Sequence, residues 1–196
     1  MTSPQTLLDG PDGRVRLWET AIAPARASSW LEALLGEVPW QTERITMFGK
    51  THEVPRRVAW YGDAGATYCY AGVQHEPLPW SPLLAQIRNE VHHLIPGHPF
   101  NSVLLNWYRN GRDRMGWHAD NEPELGRNPV IASVSLGATR RFDLKHRVTG
   151  EKVQLPLPSG SLLVMDGPLQ HHWLHQLPAT AKVHDPRVNL TFRSVR

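Results

Sequence analysis

The sequence predicts a mostly β protein, a sandwich or a jelly-roll barrel, with helices confined to its N-terminal half. From residue 100 onward the apolar residues alternate with polar ones at a period of two, which is typical of strands. Gly137, Gly150 and Gly160 separate these strand-like runs, as turn residues do. Many short strands joined by such turns are typical of sandwiches and jelly rolls.

Two helices are predicted before residue 100. Ser29 and Glu32 have the spacing of a capping box, which predicts a short helix over 29–36. Ser81, followed by a proline, is a typical helix start. The apolar residues that follow recur at helical spacing, and the helix is expected to end near the next Pro-Gly pair: Leu83, Ile87, Val91, Leu94, then Pro96 and Gly97.

The predicted strands occupy most of the second half of the chain. Their ranges are 102–108, 130–136, 141–147, 152–155, 161–165, 173–177 and 187–195. Residues 1–14 are polar and contain Pro and Gly, so we expect a flexible N-terminal tail. Residues 15–196 are then expected to form a single domain, because a chain of 196 residues leaves little room for two cores.

Composition narrows the class of protein. An apolar fraction of 40% and a charged fraction of 20% are those of an ordinary globular protein, and the net charge of +3 is compatible with a polyanionic partner. The single cysteine, Cys69, excludes an internal disulfide and indicates a reducing compartment. No stretch resembles a signal peptide or a membrane span. We expect a monomer that is cytoplasmic, or nuclear if the source has a nucleus, and not secreted.

The last predicted strand has one polar and one apolar face. Its polar residues share one parity and its apolar residues the other: Arg187, Asn189, Thr191 and Arg193 against Val188, Leu190 and Phe192. An ordinary half-exposed strand has the same pattern, with its polar face in water. However, Asn106 and Tyr108 repeat the pattern on a second strand, so two strands could line the polar interior of a barrel. Arginine suits the binding of a small dicarboxylate there, since its planar guanidinium binds carboxylate bidentately.

A metal site is predicted from histidines and one aspartate. His118 and Asp120 have i, i+2 spacing and point the same way on a strand, and His175 is a third candidate ligand. Two imidazoles and one carboxylate form the facial triad of non-haem iron(II) oxygenases. With eleven histidines in the chain, this spacing also arises by chance. A zinc site made of His171, His172 and His175 is an alternative, as is an ordinary core or surface histidine.

Several further motifs occur in the same order along the chain as in one known family. They include Phe48-Gly49-Lys50, Val54-Pro55-Arg56, a Tyr61-Gly62-Asp63 run that continues to Tyr68, Ile131 to Gly137, Ser161 to Met165, and Arg187 to Arg193. Together with the residues above, they resemble the AlkB family of Fe(II)- and 2-oxoglutarate-dependent dioxygenases over roughly residues 45–195. The N-terminal motifs resemble the branch of that family that repairs alkylated duplex DNA.

The resemblance implies a double-stranded β-helix, or jelly-roll, core with N-terminal helices packed on it. Residues 15–100 would form a substrate-recognition part and 101–196 the catalytic core. Fe(II) would be held by three ligands: His118, Asp120 and His175. The co-substrate 2-oxoglutarate, used together with O2, would be bound by Asn106, Tyr108, Arg187, Asn189, Thr191 and Arg193. The implied activity removes alkyl groups from bases such as 1-methyladenine and 3-methylcytosine in DNA, and releases formaldehyde and succinate.

The resemblance also implies residues that contact the substrate. They are Phe48, Gly49 and Lys50 in an intercalating finger, Arg56 near that finger, Tyr68 and Tyr70 beside the extruded base, and Asn121 and Glu122. Asn121 departs from the acidic residue usual at its position. Paired aromatic residues on a strand are usually core, and Phe48 could equally be an ordinary buried residue.

Two runs of basic residues are candidates for phosphate contact. The first consists of Lys50, Arg56 and Arg57, and the second of Arg140, Arg141, Lys145, His146 and Arg147. A solvated charged face is the alternative for both. Three functions therefore compete: a DNA dealkylase, a 2-oxoglutarate oxygenase acting on RNA, protein or a small molecule, and a non-catalytic jelly-roll module with a structural zinc.

Overall fold

A computed structural model describes residues 3–47, 50–70 and 73–196, except for the side chains within 45–52 and 68–75. The first strands are β1 (Gln5–Gly10), β2 (Gly13–Trp18), β3 (Arg44–Met47), β4 (Lys50–Glu53), β5 (Arg57–Gly62), β6 (Tyr68–Tyr70) and β7 (Val73–His75). The later strands are β8 (Ser102–Tyr108), β9 (Met115–His118), β10 (Ile131–Gly137), β11 (Arg140–His146), β12 (Lys152–Leu157), β13 (Ser161–Asp166), β14 (Trp173–Leu177) and β15 (Arg187–Arg193). The helices are α1 (Pro24–Glu37), α2 (Pro82–Leu94) and α3 (Leu169–His172), with one 3-10 turn at Pro123–Leu125.

Two antiparallel sheets form the body of the protein. The large sheet has seven strands in the order β1-β2-β13-β10-β15-β8-β5, and the small sheet has four in the order β12-β11-β14-β9. Two hairpins, β3–β4 and β6–β7, lie outside them. This arrangement confirms the predicted jelly-roll core.

The two faces of the large sheet serve different cores. On β13, Leu162 and Val164 pack in the cluster that includes the buried residues of α1 and α2. Their neighbours Leu163 and Met165 pack in a second cluster with residues of the small sheet. The large sheet is therefore covered by helices on one face and by the small sheet on the other, which matches the predicted placement of the helices.

The two long helices differ in how well the sequence predicted them. Helix α2 begins after Ser81, whose Oγ accepts a hydrogen bond from the Leu84 N–H at 3.2 Å, as predicted. The start predicted for α1 is wrong, because the helix begins at Pro24 and includes Ser29 as an exposed residue. Proline at the first turn has a helical φ in advance, and the buried stripe of α1 begins before Ser29, at Ala27.

The strands predicted in the second half are all present. The ranges 102–108 and 173–177 agree with β8 and β14, and the others differ by one or two residues at their ends. Strand boundaries shift in this way because pairing with a neighbour, rather than propensity alone, determines where a ladder ends.

The expected N-terminal tail is wrong. Residues 5–18 form the β1–β2 hairpin, and β2 pairs with β13, with Leu17 opposite Leu163. Val15 and Leu17 are buried between the sheets, and their burial fixes the hairpin at the edge of the large sheet. Because β1, β2 and β5 all belong to that sheet, it also spans the boundary expected at residue 100.

No helix in the described part of the chain is both long enough and apolar enough to cross a membrane.

Candidate active site

A pocket opens between the large and small sheets. The large sheet contributes β5, β8, β10, β13 and β15, and the small sheet contributes β9, β11 and β14. The polar residues that line it include His118, Asp120, His175, Asn106, Tyr108, Arg187, Asn189, Thr191 and Arg193. All nine residues predicted to bind iron or 2-oxoglutarate therefore lie in one cavity.

The three predicted metal ligands meet at one side of this pocket. His118 on β9 and His175 on β14 are cross-strand partners, and their ring centroids lie 4.2 Å apart. The Oδ1 of Asp120 is 3.8 Å from Nε2 of His118. One ligand atom from each residue lies within 4.8 Å of the other two, which is close enough for all three to share an ion.

An irregular pairing between β9 and β14 directs two side chains of β9, Met115 and His118, into the pocket. Leu177 is paired with Met115 and His175 with His118, so three steps along β9 correspond to two along β14. Such a bulge breaks the alternation of side chains. Consequently Met115 and His118 both line the pocket, which a strict period of two would not allow.

Hydrogen bonding orients the ring of His118 for metal binding. Its Nδ1 lies 2.8 Å from the carbonyl oxygen of Gly116. A carbonyl only accepts, so Nδ1 must carry the proton and donate. In the neutral ring the Nε2 atom then keeps its lone pair and faces Asp120, which is the arrangement that metal-binding imidazoles usually have.

Asp120 is held as a carboxylate deep in the pocket. Burial by itself raises the pKa of Asp120, but the positive charge of Arg193 and its hydrogen bond outweigh this effect and bring the pKa well below its usual range. The guanidinium of Arg193 donates to Oδ2 at 2.9 Å, and the backbone N–H of Asp120 donates to Gln170 at 2.9 Å. The carboxylate is therefore ionised and oriented before any metal binds.

His175 is neutral at physiological pH. Burial, reinforced by the neighbouring His118 and opposed by Asp120, lowers the pKa of His175 to about 3. A neutral imidazole is the form that binds a metal. The set of donors, two imidazoles and one carboxylate, fits Fe(II).

A second group of similar composition lies elsewhere and does not fit a metal. Within the described ranges, Asp12, His146 and His172 also have ligand atoms within 4.8 Å of one another. However, Nδ1 of His146 accepts the N–H of Thr149 at 3.0 Å, so in the neutral ring the proton sits on Nε2. The Nε2 atom lies 3.3 Å from Oδ2 of Asp12, so its proton points at the carboxylate and occupies the position that a metal would need.

The zinc site considered for His171, His172 and His175 is wrong. His175 lies in the pocket and His172 lies beside Asp12. The exposed ring of His171 forms a hydrogen bond with the carbonyl oxygen of Arg127. Because β14 begins right after His172, the i, i+4 helical geometry that would bring His171 and His175 together is absent from this segment.

The opposite side of the pocket carries the polar faces of β8 and β15. These strands are neighbours, with Arg187 opposite Tyr108 and Asn189 opposite Asn106. The alternate residues of β15 pack against the helices: Val188, Leu190 and Phe192. The parity predicted from the sequence is confirmed, and the polar face lines a cavity rather than meeting bulk water.

Arg187 is a buried cation that faces the cavity. It is 2% exposed, and one Nη donates to Ser135 at 2.9 Å. Burial lowers the pKa of Arg187 to about 10, so it stays protonated at neutral pH. Among the described residues no carboxylate forms an ion pair with it, and its Nε has no hydrogen-bond partner. A buried charge in this situation calls for an anionic ligand.

Asn189 and Thr191 are engaged within the wall of the pocket. The Asn189 amide donates to Ser133 Oγ at 2.7 Å and to the Val134 carbonyl at 3.0 Å. The hydroxyl of Thr191 donates to Asn189 Oδ1 at 3.0 Å. The Asn189 side chain therefore stiffens the polar face of β15.

Arg56 is a wall residue of the same pocket. It is 4% exposed, its Nε donates to Asn106 Oδ1 at 2.7 Å, and an Nη lies 3.6 Å from Glu43. The phosphate contact predicted for it is incompatible with this burial. Since Oδ1 of Asn106 accepts from Arg56, the amide NH2 of Asn106 is left for other partners.

Comparisons with known proteins agree with this geometry. The model of the 2OG-Fe(II) oxygenase superfamily matches residues 14–193. Human DNA oxidative demethylase ALKBH2 is 45% identical over 182 residues, covering 87% of this chain and 69% of the relative. Bovine alpha-ketoglutarate-dependent dioxygenase alkB homolog 3 is 41% identical over 179 residues, covering 86% and 62%. The chain is an AlkB-family dioxygenase.

The fold of this AlkB-family dioxygenase is also that of a solved structure, OsALKBH1. The two superpose with a TM-score of 0.60 at 16% identity, over 97% of this chain and 100% of the other. At this identity the likeness concerns the fold alone. As a family member, the protein uses Fe(II) as its cofactor and 2-oxoglutarate and O2 as co-substrates.

The predicted substrate residues of the AlkB-family dioxygenase are only partly described. Phe48 and Gly49 lie outside the described residues, as do the side chains of Lys50, Tyr68 and Tyr70. Glu122 lines the pocket, whereas Asn121 is exposed and is not part of the wall. These residues remain predictions for substrate contact.

The second basic run of this AlkB-family dioxygenase does not act as one surface. Arg140 is 2% exposed and donates to the backbone carbonyls of Asn110, Gly111, Asp113 and Pro178. His146 is buried beside Asp12. The phosphate contact predicted for these two is wrong, because both side chains are used inside the fold.

Two further residues, Phe142 and Gln170, belong to the site and were not predicted. Phe142 stacks on His175 with 5.5 Å between ring centroids, and Gln170 accepts from the Asp120 backbone. Phe142 belongs to an alternating strand, so its parity was an available signal. No sequence pattern pointed to Gln170, which reaches the site from α3.

Proposed function

We propose that the protein removes N-linked alkyl groups oxidatively from bases in DNA, such as 1-methyladenine and 3-methylcytosine. Alkyl removal would be coupled to decarboxylation of 2-oxoglutarate and would release succinate, carbon dioxide and formaldehyde. The observation that carries the proposal is the buried, anion-seeking Arg187 in the same pocket as the three metal-binding groups. The name of the human and bovine ALKBH2 relatives, DNA oxidative demethylase, supports DNA as the substrate of this chain.

The residues of the pocket divide the binding of the two groups. His118, Asp120 and His175 would hold Fe(II), and the metal together with 2-oxoglutarate supplies the oxidant when bound. Arg187 would bind one carboxylate of 2-oxoglutarate with its free N–H groups. Arg193, which already donates to Asp120, lies on the same strand face and would position the end of the co-substrate nearest the metal.

The depth of the pocket requires the target base to leave the helix. A base stacked in a duplex cannot reach buried groups such as Asp120 and His175, so it must be extruded or single-stranded. An alkyl group on the pairing edge weakens pairing and lowers the cost of extrusion. Glu122, on the pocket wall, would accept hydrogen bonds from the base, and Tyr68 and Tyr70 would stack on it.

We further propose that both duplex and single-stranded DNA are substrates. Phe48 and Gly49 fall between β3 and β4, where a hairpin tip could insert into a duplex and fill the gap left by the base. The chain spans 62% to 69% of the length of the two relatives named above. The activity of the whole protein is therefore part of the proposal. The single cysteine supports a reducing compartment, cytoplasmic or nuclear.

A side-by-side product assay tests this function. The protein with Fe(II) and 2-oxoglutarate is given matched oligonucleotides that carry one 1-methyladenine, as single-stranded DNA, duplex DNA and RNA, with a methylated peptide as a further arm. Succinate and formaldehyde should appear together, with both DNA forms as substrates. If only RNA or the peptide stimulates turnover, the protein is instead a 2-oxoglutarate oxygenase that acts on RNA or protein. Tight zinc binding with no oxoglutarate-dependent turnover would support the binding module.

A further inference from the structure

Arg112, Arg114 and Trp117 are exposed side chains that lie close in the chain to Tyr108 and Met115, two residues of the pocket wall. They lie on or next to the loop that joins β8 to β9. Tyr108 and Met115, at the two ends of this loop, both line the pocket, so the loop forms part of its rim. We call these three residues the rim patch.

The loop that carries the rim patch is fixed in place. Asp113 accepts from the backbone N–H and two guanidinium nitrogens of Arg109, at 2.8–2.9 Å. The buried guanidinium of Arg140 donates hydrogen bonds to three backbone carbonyls of the same loop. The Arg114 N–H donates to the Pro55 carbonyl at 3.0 Å, which joins the rim to the segment that contains Arg56. A fixed loop presents its side chains without a further entropic cost of ordering the backbone.

The two arginines of the rim patch carry uncompensated charge. Several other exposed arginines have carboxylate partners, such as Arg109 with Asp113 and Arg141 with Asp143. Within the described ranges, no carboxylate forms an ion pair with Arg112 or Arg114. Two free guanidinium groups separated by one residue suit neighbouring phosphates of a nucleic-acid strand.

Trp117 adds an aromatic surface to these charges. It is 40% exposed, and it is the one aromatic residue among the large exposed hydrophobic side chains of the described part of the chain. It lies on β9, an edge strand of the small sheet, directly before His118. Aromatic side chains beside cationic groups are the arrangement on which unpaired bases stack.

We propose that the rim patch binds the DNA strand that carries the lesion, with phosphates on Arg112 and Arg114 and a flanking base stacked on Trp117. This inference rests on the proposed function, because it takes the substrate to be a nucleic acid. The rim patch would hold the DNA strand in place while the alkylated base of that strand occupies the pocket.

Salt-dependent binding tests the charged half of the patch. A fluorescein-labelled single-stranded oligonucleotide with one 1-methyladenine is titrated with protein by anisotropy over a range of salt concentrations. The double variant Arg112→Gln, Arg114→Gln should reduce the slope of log affinity against log salt by about 1.4, since each single-strand phosphate contributes roughly 0.7. The variant Arg112→Lys, Arg114→Lys retains both charges and should keep the slope.

Arg26→Gln is the matched control for removal of a charge. Arg26 is an exposed arginine on α1, which covers the face of the large sheet opposite the pocket, so this variant should keep the parental slope. If the double glutamine variant also keeps the parental slope, or if the lysine variant loses it, the two arginines are not phosphate contacts.

Trp117→Ala tests the aromatic half. It should weaken binding about tenfold with the salt slope unchanged, because stacking is not ionic, and Trp117→Phe should restore most of the loss. Equal affinity in the alanine variant would overturn the stacking role. Demethylation of the same oligonucleotide by the parental protein is measured in parallel. A parental protein that binds but never demethylates would contradict the proposed function and leave the binding result standing.

Discussion

Arg187 carries its positive charge in a part of the pocket from which water is nearly excluded. Burial disfavours the charged form, yet its pKa of about 10 keeps it protonated at neutral pH. Such a group binds a carboxylate strongly, because little water competes for its donors and the protein has already borne the cost of desolvation.

Replacing Arg187 should therefore weaken 2-oxoglutarate binding. For Arg187→Met we expect the dissociation constant to rise about 100-fold, since the loss of a buried ion pair costs roughly 3 kcal/mol. Calorimetric titration of the metal-loaded protein with 2-oxoglutarate measures this. Arg141→Met removes an exposed arginine that is paired with Asp143 and should leave the constant unchanged. Unaltered affinity in Arg187→Met would exclude the assigned role.

For individual residues, the sequence predicted the ligand type and the strand face better than it predicted burial. The polar face of β15 and the His118, Asp120 and His175 set could be predicted because side-chain parity and ligand type are local properties. Arg140 could not, since its burial depends on backbone carbonyls from two separate loops, near residues 110 and 178. A run of charged residues predicts that each arginine in it is exposed. Only the tertiary fold shows that backbone acceptors from distant loops surround Arg140.

Among the elements, the loop between β8 and β9 depends on one glycine. A Cβ at Gly111 would lie 2.2 Å from the Thr180 carbonyl oxygen and 2.8 Å from that of Val183. Gly111 also exchanges backbone hydrogen bonds with the same segment, to Thr180 and Val183 at 2.8 Å. Close approach of the two loops is therefore possible only without a side chain at this position.

Gly111→Ala should lower the free energy of unfolding by about 2 kcal/mol, because two backbone segments must move apart. Denaturant unfolding followed by circular dichroism measures the change. Gly36→Ala is the matched control: it lies in α1 with nothing within 4 Å of the new Cβ, and it should stabilise the protein by roughly 0.5–1 kcal/mol. A neutral effect of Gly111→Ala would mean that the contact between the loops is dispensable.

The β3–β4 hairpin carries the prediction for duplex substrates. If Phe48, which falls between β3 and β4 in the sequence, fills the gap left by the extruded base, Phe48→Ala should reduce activity on duplex DNA more than on single strands, which have no gap to fill. Initial rates on the two forms of one oligonucleotide measure this. Equal losses on both would remove the finger assignment.

Elements were predictable where a local signal and the tertiary fold agree. The Ser81 cap and the helical stripe after it located α2. The β1–β2 hairpin was not predictable in the same way: Val15 and Leu17 alternate with Arg14 and Arg16, but the polar residues before them carry no strand signal. What fixes this hairpin is the edge of β13, which lies about 150 residues further along the chain.

Across the whole molecule, acid should destabilise the fold partly through His92. Its Nε2 accepts the Phe100 N–H at 3.1 Å and so ties α2 to the start of β8. Burial and the nearby Arg88 lower the pKa of His92 below its usual 6.5. The unfolded chain therefore binds more protons at this site than the folded protein near that pH, and stability falls as the pH drops below about 6.5.

The free energy of unfolding should be smaller at pH 5.5 than at pH 7.5, and His92→Gln should show a smaller difference between the two. Denaturant unfolding at both pH values measures this. Other buried histidines contribute equally to both proteins, so the difference between them isolates His92. An identical pH dependence in the variant would show that His92 does not contribute.

Of the two similar histidine–aspartate groups in the described part of the chain, the one that contains His118 is assigned the iron. The measurement is succinate release with Fe(II), 2-oxoglutarate and a 1-methyladenine oligonucleotide, in His118→Ala and, for comparison, in His172→Ala from the group around Asp12. We predict background release from His118→Ala and parental release from His172→Ala. Parental release from His118→Ala, or loss of activity only in His172→Ala, would contradict the assignment.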